Sequence, residues 1–117
     1  MIDCVVHVQI SHPEEILRYI DEPERDWYRA QAYTLGLPSY PWSNPSTWFR
    51  TDLETDETGM PGGNARVVAK DVLDDQGADL GILTADDALS VGLMENAYRA
   101  AGLARAHNEW LANDWFP

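Results

Sequence analysis

Ile2-Asp3-Cys4-Val5-Val6-His7-Val8-Gln9-Ile10 is a short apolar run rich in β-branched residues. It reads as a strand buried on both faces rather than as an amphipathic edge. A second run of the same kind, Asp79 to Thr84 (DLGILT), lies far downstream. Between them stand a long excursion and a helical stretch, the order of a parallel βαβ unit. The expected class is therefore α/β, with two parallel strands at about 2–10 and 79–84.

Local signals place the helices. Ser11 stands two places before Pro13, and Glu14 and Glu15 follow, which is helix-start chemistry with negative charge in the first turn. That helix is expected to run to Tyr19 or Ile20, and a second from Pro23 to about Leu35, stopped by Gly36. Asn64 can cap a helix reaching Gln76, with Ala65, Val68, Val72 and Leu73 on its apolar face and Gly77 as its stop. A last helix from Leu93 to Trp115 repeats Leu93, Ala97, Ala100, Ala104, His107 and Leu111 at intervals of three or four.

From Leu37 to Gly63 the composition turns to Pro, Ser, Gly, Trp and acid. Excursions of this length are usually binding loops or lids, or disordered. Tyr40, Trp42, Trp48 and Phe49 argue against disorder, because large apolar side chains are costly to leave in water. The acids Asp52, Glu54, Asp56 and Glu57 do not make a calcium loop of the EF-hand kind, since Glu57 and Gly63 occupy the places where that template needs Gly and Glu.

The chain has 117 residues, and a domain of that size buries only about two-thirds of its unfolded surface. Five Trp and five Tyr are more aromatic surface than one small core normally absorbs, and aromatic residues are the class enriched at interfaces; the alternative is that they fill the core. Twenty acidic against eight basic residues give a net charge of -12, which repels phosphate backbones and anionic lipid surfaces, so no nucleic acid and no membrane is expected as a partner. The single Cys4 cannot form an internal disulfide, and the first residues lack the pattern of a secretory signal. The expected setting is reducing and cytoplasmic. Two strands alone keep bare edges, which proteins normally pair or cover, so further strands are expected from elsewhere.

Several stretches, in order, resemble the amidohydrolase-related family, the group that includes aminocarboxymuconate-semialdehyde decarboxylase. They are Ile2 to Val8, His12 to Ile20 (HPEEILRYI), the Arg50-Thr51-Asp52 step, the Pro61-Gly62-Gly63 turn, Val72 to Gly77 with the strand through Leu83-Thr84, and Ala104 to Leu111 (ARAHNEWL). The resemblance covers essentially the whole chain and corresponds to about the first third of such an enzyme. It implies a TIM-type barrel of βα units, of which residues 1–117 would form a partial (βα) barrel. It also implies a divalent metal, Zn or Mn/Fe, at the carboxyl ends of the strands.

In that family the first strand supplies two metal ligands on alternate residues. His7 matches the second, whereas Val5 stands where the first belongs, and Val has no lone pair to offer. The alternative for His7 is a packed histidine. Arg50 would lie near the pocket, where it could clamp a substrate carboxylate, with Trp48 beside it in an aromatic lid; the alternative for Arg50 is a surface ion pair with Asp52 or Glu54. Asp3 reads as a backbone hydrogen-bond partner, Val5 as core, Cys4 as a small buried hydrophobe, His12 as part of a turn, and His107 as a satisfied core histidine.

With at most one metal ligand and no catalytic residue of its own, the chain is expected to be a small, non-autonomous subunit of a split metal-dependent hydrolase or decarboxylase. A larger amidohydrolase-type subunit would then hold most of the metal and the small-molecule substrate, in a hetero-oligomer. The alternatives are a catalytically inactive protein that binds an intact homologue, and a self-assembling oligomer whose copies pair their open edges.

Overall fold

The computed structural model describes residues 1–30 and 61–116. In chain order the regular elements are β1 (Ile2–Val8), α1 (Glu14–Leu17), α2 (Glu24–Ala30), α3 (Ala65–Ala69), β2 (Leu80–Ala85) and α4 (Ala97–Trp110). α3 and α4 continue as wider, π-type turns over Lys70–Asp75 and Leu111–Trp115, and a 3-10 run, Asp86–Leu93, follows β2. Among the described residues this is a mixture of helix and strand with two parallel strands, compatible with an α/β class. The residues fall into two compact units, 1–11 with 61–86, and 12–30 with 87–116.

The first unit is the βαβ arrangement. β1 pairs with β2 in parallel, Ile2 beside Leu80 and Val8 beside Ala85. The ladder is not regular: three steps on β1, from Asp3 to Val6, oppose two on β2, from Gly81 to Leu83. Such a bulge leaves backbone groups without ladder partners. Asp3 answers this locally, its Oδ1 accepting the Val5 N–H at 3.1 Å, which is the backbone role expected for it. β1 ends two residues earlier than its apolar pattern suggests, because the Gln9 N–H turns away to donate to Gly62 O at 3.1 Å.

α3 begins where Asn64 stands, its Oδ1 accepting the N–H groups of Arg66 and Val67 at 3.1 and 3.3 Å. The helix closes at Gly77, which takes the left-handed φ of +70° that a Cβ would disfavour. Ala78 N–H then donates back to Val72 O at 3.1 Å. Of the expected apolar face, Val68 and Val72 are buried, whereas Leu73 is exposed. A Cβ placed on Gly81 would stand 3.1 Å from Val6 Cγ2 and 3.7 Å from Val72 Cγ1, so the covered face of the sheet carries Val6 and Gly81 beneath the helix.

The opposite face of the sheet is about half exposed. Ile2, Val5, Leu80 and Ile82 are 58, 56, 53 and 49% exposed, and Cys4 is exposed as well. The expectations of a strand buried on both faces, of Val5 as core and of Cys4 as a buried hydrophobe are therefore corrected. A continuous apolar run shows that both faces favour burial; it does not supply a second layer to bury them.

In the second unit, α1 opens with a reciprocal cap around His12. Its N–H donates to Glu15 Oε1 at 3.0 Å, and its Nδ1 accepts the Glu14 N–H at 3.2 Å, so an imidazole does the work usually given to Ser or Thr. α1 is shorter than expected, although tight turns continue to Ile20 through Tyr19 N–H to Ile16 O and Ile20 N–H to Leu17 O. α1 packs against α2 and α4. The core holds Ile16, Leu17, Ile20, Tyr28, Leu103, Ala106 and Trp110, all buried. The phenol of Tyr28 donates to Arg99 O at 2.8 Å, and burial raises its pKa above the usual tyrosine value.

α4 starts four residues later than its periodicity suggests, because Asn96 is the cap, accepting the N–H groups of Tyr98 and Arg99 at 3.1 and 3.2 Å. Its inward stripe is Leu103, Ala106, His107 and Trp110, whereas Leu93 and Ala97 are exposed. The expected stripe is thus displaced. Ala at almost every turn gives α4 two competing apolar faces, and the large side chains Leu103 and Trp110 decide between them. Around this core run surface ion pairs: Arg29 with Glu14 at 3.0 Å, Arg99 with Glu24 at 2.8 Å, Arg105 with Asp21 at 3.0 Å, and Arg18 with Asp114. Each lies at least partly in solvent, where such pairs add little to stability.

Candidate functional site at the carboxyl ends of the strands

In a parallel sheet, the polar groups able to act on a ligand collect where the strands end, because the loops there diverge and leave backbone and side chains accessible. Here that end is built by His7 on β1, Thr84 and Ala85 on β2, Asp86 immediately after β2, and the Pro61-Gly62 turn.

His7 sits beside Thr84 in the register. Because Val6 and Val8 point to the covered face, alternation sends the His7 side chain to the bared face with Val5. It is 57% exposed and is not packed. Its Nδ1 is in hydrogen-bonding contact with Asp86 Oδ1, and the Asp86 side chain is 27% exposed. A carboxylate oxygen can only accept, so Nδ1 carries the proton in this bond. In the neutral ring that leaves the lone pair on Nε2.

The turn beside His7 is held from within the strand. Gln9 is buried, its backbone N–H donates to Gly62 O, and its side-chain amide donates to Pro61 O. Gly62 has φ +80°, and a Cβ there would stand 3.0 Å from His7 O. The glycine thus lets the turn close onto the backbone of the very residue that carries the imidazole. The Pro61-Gly62-Gly63 turn was legible in the sequence; Gln9 and Asp86 were not. The signal for Asp86 was its place directly after a strand of a parallel pair.

Val5 and His7 lie on the same face, as strand alternation requires, but Val5 offers no donor. Among the described residues no group of three or more His, Cys, Asp or Glu could hold a metal ion. The described residues fit one ligand position, His7 Nε2, and not a complete metal site. Trp48 and Arg50 lie outside the described residues, as do the acids Asp52 to Glu57 and the end expected for the second helix.

His107 is buried in the second unit, with Nδ1 donating to Leu103 O at 2.9 Å. Its Nε2 has no hydrogen-bond partner among the described residues. Burial lowers its pKa, against the smaller opposing effect of the Leu103 carbonyl. It is the core histidine expected, but only half satisfied.

No helix among the described residues is long and apolar enough to cross a membrane. No protein-family model matches the sequence, and no curated protein matches it.

Proposed function

We propose that this chain is the small subunit of a split, metal-dependent amidohydrolase-type enzyme, a hydrolase or decarboxylase of a small molecule in the cytoplasm. What supports the family is the set of motifs from Ile2 to Leu111. The observation that carries the architectural part is the sheet itself. On one face Val72, in the wide turn after α3, packs over Gly81 beside Val6, whereas the other, with Ile2, Val5, Leu80 and Ile82, is apolar and about half exposed. In a (βα) barrel the helix-free face of each strand is the packed interior, and ligand-binding groups stand at the carboxyl end. A partial barrel completed by a larger subunit accounts for both the bare apolar face and the position of His7.

In this reading His7 Nε2 is one ligand of a divalent metal, Zn or Mn/Fe, whose other ligands come from the larger subunit. Such a metal would supply Lewis-acid polarisation of the substrate and, for hydrolysis, a water made acidic enough to act near neutral pH. Residues of this chain do the rest of its share: the bared face joins the barrel wall, and Trp48 and Arg50 contact the substrate from the lid, the guanidinium pairing with a carboxylate. The test is co-expression with the larger subunit. The expected result is a stable hetero-oligomer whose bound metal falls when His7→Ala is introduced. A chain that is a monodisperse monomer beside every candidate subunit sinks the proposal.

A second reading is a catalytically inactive protein that binds and regulates an intact homologue. Val5 at the place of a ligand favours it. It predicts that His7→Ala leaves the metal content and turnover of the complex unchanged.

A further inference from the structure

We infer that His107 is an acid-sensitive latch of the helical unit: a proton taken up on its buried Nε2 releases α4 from α1, while the unit of β1, α3 and β2 keeps its fold.

The latch depends on where the ring lies. His107 is 2% exposed on the inward stripe of α4, with Leu103 one turn before it and Trp110 one turn after, both buried. Its Nδ1 donates to Leu103 O, so the neutral ring keeps its lone pair on Nε2, which meets no hydrogen-bond partner among the described residues. A proton there makes the ring a cation and gives it a buried N–H without an acceptor. Both changes penalise the closed core, and neither penalises an opened one, where water solvates the imidazolium. Burial lowers the pKa of this ring in the same direction.

The charged groups on the surrounding elements do not offset this penalty. On α1, Glu14 is paired with Arg29, and Glu15 accepts the His12 N–H. On and just before α2, Glu24 is paired with Arg99, Asp26 with Arg29, and Glu22 with Arg25. Along α4 and the wide turn after it, Arg105 lies beside Asp21 and Glu109, and Asp114 pairs with Arg18. None of these carboxylates reaches Nε2. Tyr28, whose pKa burial raises, stays protonated in the acid range. Carboxylates ordinarily titrate near pH 4 and histidine near about 6.5, so the surface pairs outlast the latch as pH falls, and release falls between about pH 7 and 5.

The chain has three histidines. His7, the one in the first unit, is exposed, so acid in this range has no buried ring to charge there. His12 shares the second unit, and its Nδ1 accepts the Glu14 N–H at the start of α1, a bond that acid also weakens. The effects of His12 and His107 therefore have to be told apart.

The test is hydrogen exchange of the full chain at about pH 7.5 and about pH 5.5, read as protection factors so that the intrinsic pH dependence of exchange cancels. Protection across α4 should fall by up to about 10-fold per pH unit below about 6.5, while protection in β1 and β2 changes little. His107→Gln, which hydrogen-bonds but takes up no proton, should abolish the fall. His12→Asn, which keeps an acceptor at the cap, should retain it. Nitrogen-15 spectra of the histidine rings, assigned by elimination with His7→Gln and His12→Asn, should show His107 titrating below the usual value of about 6.5.

Equal protection of α4 at the two pH values overturns the inference. So does a fall shared equally by β1 and β2, a fall that His12→Asn removes, or a His107 ring that titrates at or above the usual value. Should His107→Gln fail to fold, the wild-type and His12→Asn profiles still decide the matter.

Discussion

A Cβ built on Gly62 would stand 3.0 Å from the carbonyl oxygen of His7, in a residue whose φ is +80°. The two facts have separate costs. The left-handed backbone disfavours any L side chain, and the close approach sets a new methyl against backbone that is itself fixed in the β1–β2 ladder. Gly62→Ala should therefore destabilise the chain by about 1–3 kcal/mol, measured as a lower urea midpoint with unchanged slope. Gly77→Ala meets the same φ penalty, with no atom within 4 Å of the new methyl. It should cost less, and an equal loss for the two would show that the contact with His7 is unimportant.

Asn64 and Asn96 each accept two backbone N–H groups at the start of a helix. Replacing either by Ala should cost about 1 kcal/mol, and replacing either by Asp or Ser should cost much less. Urea titration followed by far-ultraviolet circular dichroism distinguishes these outcomes. A neutral Asn96→Ala would mean that the first turn of α4 is held by something other than its cap.

Trp110 is 1% exposed and meets Trp115 edge to face at 5.6 Å between ring centroids. Trp110→Ala removes the largest fully buried side chain among the described residues and should cost about 3–5 kcal/mol, with Trp110→Phe recovering a good part of it. Leu93→Ala should be close to neutral, since Leu93 lies in the sequence pattern of α4 but is 73% exposed. Comparing the two by thermal melting tests which face of the helix is buried.

His107 sets a pH dependence whose sign follows from its burial. The folded-state pKa lies below the usual 6.5, so at mildly acidic pH the unfolded chain binds a proton that the folded chain does not. This contribution to stability is fully present above the unfolded value and is lost as pH falls from about 7 towards 5, by at most about 1.4 kcal/mol per pH unit. Urea midpoints across that range should fall more steeply for the wild type than for His107→Gln. Parallel curves would mean that the ring is hydrated or paired in the fold.

What the sequence determined by itself is local. Asn64 as a cap and Gly77 as a stop are legible because cap and stop chemistry acts within a few residues, and the βαβ order follows from composition along the chain. The helix start near Pro13 was legible as well, although the sequence did not show that His12 would form the cap. The tertiary structure alone decided the rest. An apolar run such as IDCVVHVQI states that both faces favour burial, but only packing determines that Val6 is buried, beside Gly81 and Val72, while Val5 is left half exposed. The bulge at Asp3 to Val6, the choice of Leu103 and Trp110 as the inner face of α4, and the meeting of His7 with Asp86 depend on register between segments far apart in sequence. Register is set by the summed fit of many weak contacts, and no single residue carries it.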